Sequence, residues 1–164
     1  MIRIISGKNR GRKIRAPKNI PTRPTTDRAK EALFNILNNH FYFDETTALD
    51  LFAGTGNISY ELASRGCPAI LAVEENKACV RFIQQTAENL KMDKLQAQQG
   101  EVLQFLSREY RSYDLIFADP PFDYTEYEKL ADLIFMNKLL KPDGMLVIEH
   151  QAQNSLEHLS HFDA

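Results

Sequence analysis

An open, doubly wound α/β sheet of mainly parallel strands is the fold class this sequence predicts, and three observations predict it. From Thr46 onward, short aliphatic runs alternate with longer segments of helical period, the pattern of successive strand-helix units. A glycine-bearing bend, Gly54-Thr55-Gly56, stands where the first of those strands passes into a helix, a place where such sheets take ligands. The 164 residues, 43% hydrophobic, suffice for one core and argue for a single domain with at most a small appendage.

The elements follow in order. Ile2 to Arg15 alternates apolar and basic residues around Gly7-Lys8-Asn9-Arg10-Gly11, which predicts a short hairpin with a glycine-bearing turn. Pro17, Pro21 and Pro24 keep the chain extended until Thr25-Thr26-Asp27 offers N-caps for a helix over 27–39. Ala29, Leu33, Ile36 and Leu37, with Ala32 beside them, form its expected packing stripe. Strands are expected over 47–52, 69–74, 95–99, 113–118 and 144–149, and helices over 57–65, 76–91, 101–109 and 125–138. The last helix stops before Lys141-Pro142-Asp143-Gly144, read as a turn. The expected division is a basic arm over 1–24 and the main domain over 25–164.

Charge is distributed unevenly. Residues 1–30 hold ten of the chain's twenty Lys and Arg and one of its 22 acids, a charge of +9, which leaves −11 for residues 31–164 and −2 for the whole. A basic arm on an acidic body points to nucleic acid, the alternative being a solvated charged surface. The candidate contacts are Arg3, Lys8, Arg10, Arg12, Lys13, Arg15, Arg23 and Arg28. No run approaches the roughly 18 apolar residues of a membrane span, and no signal-peptide pattern begins the chain. A soluble, cytoplasmic protein is expected. Cys67 and Cys79 lack metal or redox spacing and read as buried free thiols. His40, His150, His158 and His161 show no metal-ligand spacing, so no metal is expected.

Asp50-Leu51-Phe52-Ala53-Gly54-Thr55-Gly56-Asn57 ends the first strand of the sheet and opens the next helix. Gly54 and Gly56 allow a tight turn and close approach of a ligand. Glu74 closes the next strand about twenty residues on, where a carboxylate can accept both hydrogen bonds of a ribose diol. A dinucleotide fingerprint would carry a third glycine where this chain has Ser59. Asp50 would repel a pyrophosphate but suits the cationic amino-acid end of S-adenosylmethionine, directly or through a water. That donor is favoured over a nicotinamide or flavin. Gln99-Gly100-Glu101 follows the third strand, where Glu101, with the Val102 amide nearby, could accept from an adenine amino group or simply favour a helix N-terminus.

Asp119-Pro120-Pro121-Phe122 lies just past the fourth strand. An exocyclic base amine is a poor nucleophile because its lone pair is delocalised into the ring. Hydrogen bonds to the Asp119 carboxylate and the Pro120 carbonyl would orient it, the prolines holding that carbonyl in place. Phe122 offers a face for an extruded base. Tyr127 and Phe41-Tyr42-Phe43 are expected to pack in the core or between helices, whereas Tyr124 can border the base pocket.

With Asp50 to Gly56, the Asp-Pro-Pro-Phe run resembles the amino-group N-methyltransferases. Arg3-Ile4-Ile5-Ser6-Gly7, Gly11-Arg12 and Arg23-Pro24-Thr25-Thr26-Asp27-Arg28 are together similar to the RsmD family, guanine-N2 methyltransferases of 16S ribosomal RNA. The resemblance runs from residue 2 to about residue 150 and implies the class I methyltransferase fold. It implies donor contacts at Asp50, Phe52, Gly54, Gly56, Glu74, Glu101 and Val102, a guanine held by Asp119, Pro120, Pro121 and Phe122, and RNA gripped by the arm. The implied protein is a bacterial monomer acting on 16S ribosomal RNA or an assembling small subunit, away from membranes. Departures are Thr55 where the family often has Ser, Glu101 where it usually has Asp or Asn, and 14 residues after the fifth strand where the fold usually adds a further hairpin. An uncovered or differently capped sheet edge, with a cost to stability before chemistry, is the expected consequence. Open alternatives are an enzyme acting on DNA adenine or protein glutamine, an NAD-linked oxidoreductase, which leaves Asp-Pro-Pro-Phe without a role, and a non-catalytic RNA-binding module.

Overall fold

In the computed structural model, which describes residues 1–20 and 25–150, the apolar and basic alternation at the start forms a two-stranded antiparallel hairpin, β1 (Ile2–Arg3) and β2 (Lys13–Ile14). Ile2 pairs with Ile14 and Arg3 with Lys13, and the Ile4 and Gly11 amides donate to the Arg12 and Ile4 carbonyls. This register turns Ile2, Ile4 and Ile14 into the core and the intervening cations outward, as period-two alternation requires.

Helix α1 (Asp27–Asn38) begins at Thr26, whose hydroxyl accepts from the Ala29 amide. Its buried stripe differs from the one read off the apolar residues. Lys30, Phe34 and Leu37 face inward, while Ala29 and Ala32 are exposed and Ile36 is 57% exposed. The i, i+4, i+7 spacing is intact, but one of its members is a lysine with a buried ionic partner, Glu61, which an apolar pattern does not reveal. Tyr42, expected to pack, is 79% exposed, while Phe43 enters the core.

The main sheet has the order β5-β4-β3-β6-β7, all parallel: β3 (Thr47–Leu51), β4 (Ala69–Glu74), β5 (Leu95–Gln99), β6 (Tyr113–Ala118) and β7 (Leu140–Ile148). Helices α2 (Asn57–Ser64), α3 (Lys77–Asn89), α4 (Val102–Arg108) and α5 (Tyr127–Met136) make the crossovers. Alternate strand residues supply two cores. Ala48, Ile70, Ala72, Leu115 and Phe117 meet α1, α2 and α3 on one face, and Leu49, Leu71, Val73, Ile116 and Ala118 meet α4 and α5 on the other.

Lys141-Pro142-Asp143-Gly144 is not a turn ahead of the last strand. It is a bulge within β7, since Leu140 already pairs with Tyr113 while Met145 is the residue opposite Leu115. Asp143 takes φ 64°, and a Cβ at Gly144 would lie 2.8 Å from the Lys141 carbonyl oxygen. The irregularity that a proline imposes is absorbed at the sheet edge, where bulges are tolerated. Residues 144–148 are half-buried and β7 forms one edge of the described sheet; the 14-residue tail, with His158 and His161, lies outside the described residues.

Candidate active site

The switch in strand order falls at β3, which lies between β4 and β6, so the loops after β3 and β6 open beside one another at the carboxyl edge. Leaving β3, Phe52 adopts φ 57°, a left-handed conformation that ordinary side chains seldom take. Gly54 follows at φ 60°, and no heavy atom lies within 4 Å of where its Cβ would stand, so the bend borders open space. Gly56, at φ 92°, precedes α2, and a Cβ there would meet the Tyr60 ring at 2.7 Å. The two glycines thus serve different ends, one an open cradle and the other helix packing.

Two carboxylates lie on this bend. Glu74 accepts from the Gly54 amide at 2.9 Å through Oε1 and from the Asn76 amide at 2.7 Å through Oε2, which fixes its plane against the loop. Asp50 is 2% exposed and accepts from the Ser59 hydroxyl at 2.6 Å. Burial pushes its carboxyl up to about 7 against the Ser59 hydrogen bond, and the nearby Glu74 charge pushes the same way. Asp50 is therefore no solvated acid. Glu101 is the N-cap of α4, its carboxylate accepting from the Leu103 amide, and Val102 turns its side chain into the core. Of the two roles weighed for Glu101, capping is the one whose partner is visible here.

The second loop reaches the same place. The Asp119 amide donates to the Leu51 carbonyl at 3.4 Å, which brings the start of Asp-Pro-Pro-Phe next to Leu51, three residues from Gly54. Pro120 is buried, Pro121 is exposed and Phe122 is 63% exposed. The Tyr124 amide closes a turn onto the Pro121 carbonyl at 3.0 Å. The Tyr124 ring then packs edge-on against Phe52, centroids 5.1 Å apart, and against Tyr127 at 5.3 Å. Aromatic contact thus ties the loop after β6 to the glycine-bearing loop after β3. The Tyr124 hydroxyl and the Asn57 Oδ1 are buried without a hydrogen-bond partner among the described residues, an arrangement that a bound ligand can complete.

Sequence reasoning treated Ser59 only as a missing glycine and gave Asn57 no role. Helical spacing from Gly56 puts Ser59 and Tyr60 one turn into α2, facing back toward the bend. That signal was present; the pairing of Ser59 with Asp50 was not, because it depends on how helix and strand pack.

Comparison with known proteins agrees with this geometry. A family model described as conserved hypothetical protein 95 matches residues 2–164. The ribosomal RNA small subunit methyltransferase D of Haemophilus influenzae is 34% identical over 162 residues, covering 94% of this chain and 81% of that protein. This chain belongs to the ribosomal RNA small subunit methyltransferase D family. The Escherichia coli protein of the same name is 31% identical, with 94% and 77% of the two chains covered. The solved structure of Escherichia coli yhhF superposes with a TM-score of 0.87 at 30% identity over 98% of this chain and 86% of that one. A coclaurine N-methyltransferase bound to N-methylheliamine and SAH, 21% identical with a TM-score of 0.63 over 77% of this chain and 36% of that one, shares the fold. The methyltransferase D family thus carries here the class I methyltransferase architecture.

In this family member most of the described cations of the N-terminal segment are exposed. Lys8, Arg10, Arg12, Lys13, Arg15 and Arg28 all face solvent, and Arg3 lies 3.9 Å from Asp27. Arg23 lies outside the described residues. Among the described cations of residues 1–30 Lys30 is the exception, being 1% exposed and 3.0 Å from Glu61. Cys67 and Cys79 are both buried and free, and burial raises their thiols to about 12 and about 11. Among the described residues no group of three or more His, Cys, Asp or Glu is arranged to hold a metal ion, and no helix is long and apolar enough to cross a membrane.

Proposed function

We propose that this chain transfers a methyl group from S-adenosylmethionine to the exocyclic N2 amino group of a guanine in 16S ribosomal RNA. The observation that carries the reading is the hydrogen bond from the Asp119 amide to the Leu51 carbonyl, which joins the amine-holding loop to the donor-holding loop. The names of its relatives, ribosomal RNA small subunit methyltransferase D, support the RNA class.

The residues present fit the donor. Gly54 leaves a cradle that a side chain would fill, and Glu74 is held by two backbone amides with lone pairs to spare for a ribose diol. Glu74, joined by Asp50 where that carboxyl is ionised, makes the bend acidic, which favours a cationic amino-acid end and disfavours a pyrophosphate; this weighs against a nicotinamide enzyme. When bound, S-adenosylmethionine supplies an electrophilic methyl group on a positively charged sulfur. Asp119 and the Pro120 carbonyl accept from the guanine amino group and localise its lone pair, and the two prolines restrict the freedom of that carbonyl. Phe122, exposed on the loop, stacks on the extruded base. The proton released from the methylated nitrogen passes to Asp119 or to solvent, and no covalent enzyme intermediate is required. The arm over residues 1–24 grips RNA phosphates while residues 25–164 carry out the chemistry.

The test is incubation of the protein with labelled donor and small-subunit particles that lack this modification, followed by digestion and nucleoside mapping. The expected product is N2-methylguanosine at a single position of 16S ribosomal RNA. Label in another nucleoside, or none in either particles or naked RNA, would overturn the assignment.

A further inference from the structure

The turn that carries the arm's cations is not a loose appendage, because it is bonded directly to the helix that leaves the glycine bend. The Ile5 and Ser6 amides donate to the two oxygens of Glu61 at 2.9 and 3.0 Å. The Lys8 amide donates to the Ser64 carbonyl at 2.8 Å. The Asn9 amide donates to the Ser64 hydroxyl at 2.9 Å, and that hydroxyl donates to the Ser6 carbonyl at 2.6 Å. Glu61 is 0% exposed and also receives Lys30 and Arg65, while Lys30 Nζ donates to the Arg3 carbonyl at 2.9 Å. Backbone, not flexible side chains, makes most of the arm's share of these contacts.

The sequence is shaped for this contact. Gly7 takes φ 90°, and a Cβ on it would stand 2.0 Å from the Ser64 carbonyl oxygen, so only glycine lets the turn seat. The seat is the C-terminal turn of α2, where free carbonyls need donors and positive charge is favoured. The other end of α2 begins at Gly56 in the donor bend. Its eight residues make a spacer of about 12 Å between the two.

We infer that residues 1–15, docked on α2, form a rigid gauge that sets the distance between RNA phosphates held by Lys8, Arg10, Arg12 and Lys13 and the methyl-transfer site. Gly7, Glu61 and Ser64 are its positioning residues. The inference rests on the RNA-binding reading given above. A substrate fits the gauge when its folded backbone passes the turn at that fixed separation from the target base. Single strands that only satisfy the charges bind without presenting the base.

Gly7→Ala tests this, since it keeps every cation and the whole donor bend but cannot seat on Ser64. With small-subunit particles as substrate, particle affinity is expected to stay within about threefold and its salt slope to stay unchanged, because the phosphate contacts are kept. Turnover at saturating particles is expected to fall about tenfold or more, since misplacement of a reacting group is costly. Donor affinity measured by calorimetry without RNA stays at the parent value. Ser64→Ala, which removes two of the five hydrogen bonds, is expected to show the same split to a smaller degree. Hydrogen exchange of the parent protein supplies a reading independent of any variant: the Ile5, Ser6, Lys8 and Asn9 amides should be protected like those of α2. Parent-level turnover in Gly7→Ala, or unprotected exchange at those four amides, overturns the gauge. If removing the charges of Arg10, Arg12 and Lys13 leaves particle binding unchanged, the RNA reading fails and the gauge fails with it; if binding weakens while Gly7→Ala turns over normally, the gauge alone fails.

Discussion

Replacing Asp50 by Asn is expected to stabilise the donor-free protein in mildly alkaline solution while removing its response to donor. Asp50 is 2% exposed, and burial, opposed by the Ser59 hydrogen bond and reinforced by Glu74, lifts its carboxyl from 3.8 to about 7. An acid with a raised native pKa keeps its proton in the folded state where the unfolded chain has already released it. Its contribution to stability therefore falls as pH rises from the unfolded value to about 7 and stays lost above that. The rise corresponds to about 4 kcal/mol at about 1.36 kcal/mol per pH unit. Asn keeps an acceptor for Ser59 but buries an amide NH2 at a cost of about 1–3 kcal/mol, so the net gain is about 1–3 kcal/mol. For a chain of this size, that raises the unfolding midpoint by roughly 2–4 °C per kcal/mol. The assay is thermal unfolding followed by circular dichroism at about pH 5 and about pH 8.5, with and without S-adenosylmethionine. At about pH 8.5 the variant should melt above the parent, and at about pH 5, where native Asp50 is mostly protonated, the gain should vanish or reverse. Donor should raise only the parent's midpoint. A variant destabilised equally at both pH values would refute the burial argument, and one that keeps the donor-induced rise would refute the donor role.

Three further outcomes follow from the same geometry. Glu61→Gln leaves Lys30 buried without its ionic partner, so chemical denaturation should report a loss of about 3–5 kcal/mol; a loss below about 1 kcal/mol would mean that the pair relaxes into water. Glu74→Ala removes the acceptor of the Gly54 and Asn76 amides and should weaken donor affinity about tenfold or more by calorimetry, at roughly 1.4 kcal/mol per factor of ten; unchanged affinity would put the ribose elsewhere. Neutralising Arg10, Arg12 and Lys13 together should weaken RNA binding and flatten the plot of log affinity against log salt by roughly 0.7–0.9 per lost phosphate contact, and an unaltered slope would return the arm to the status of a solvated surface.

The parallel sheet was legible because its strands repeat one signal: a short aliphatic run, a break and a helical period. Asp50, the glycine bend, Glu74 and Asp-Pro-Pro-Phe were legible because each sits at a strand's carboxyl end, where topology brings such loops to one edge. Their convergence at Leu51 and Asp119 follows from β6 pairing with β3, a neighbour relation that the doubly wound reading already contained. The inward stripe of α1 was misread because Lys30 sits at a core position, paired with a Glu61 that is thirty-one residues away in sequence. Pro142 and Gly144 read as a turn because a bulge uses the same residues. Long-range polar contacts such as Glu61 with Ile5 and Ser6 leave no periodic trace, so the docking of the arm emerged only from coordinates.

Single-turnover transfer by Asp119→Ala, measured alongside donor affinity, tests the central claim most directly: that the loop after β6 holds the base amine against the donor bend after β3. With labelled donor prebound and small-subunit particles in excess, methyl transfer should fall by at least about a hundredfold, the size of effect expected when a positioned acid-base group is lost, while donor affinity stays within a few-fold. Parent-level transfer by the variant, or a loss that donor affinity alone explains, would contradict it.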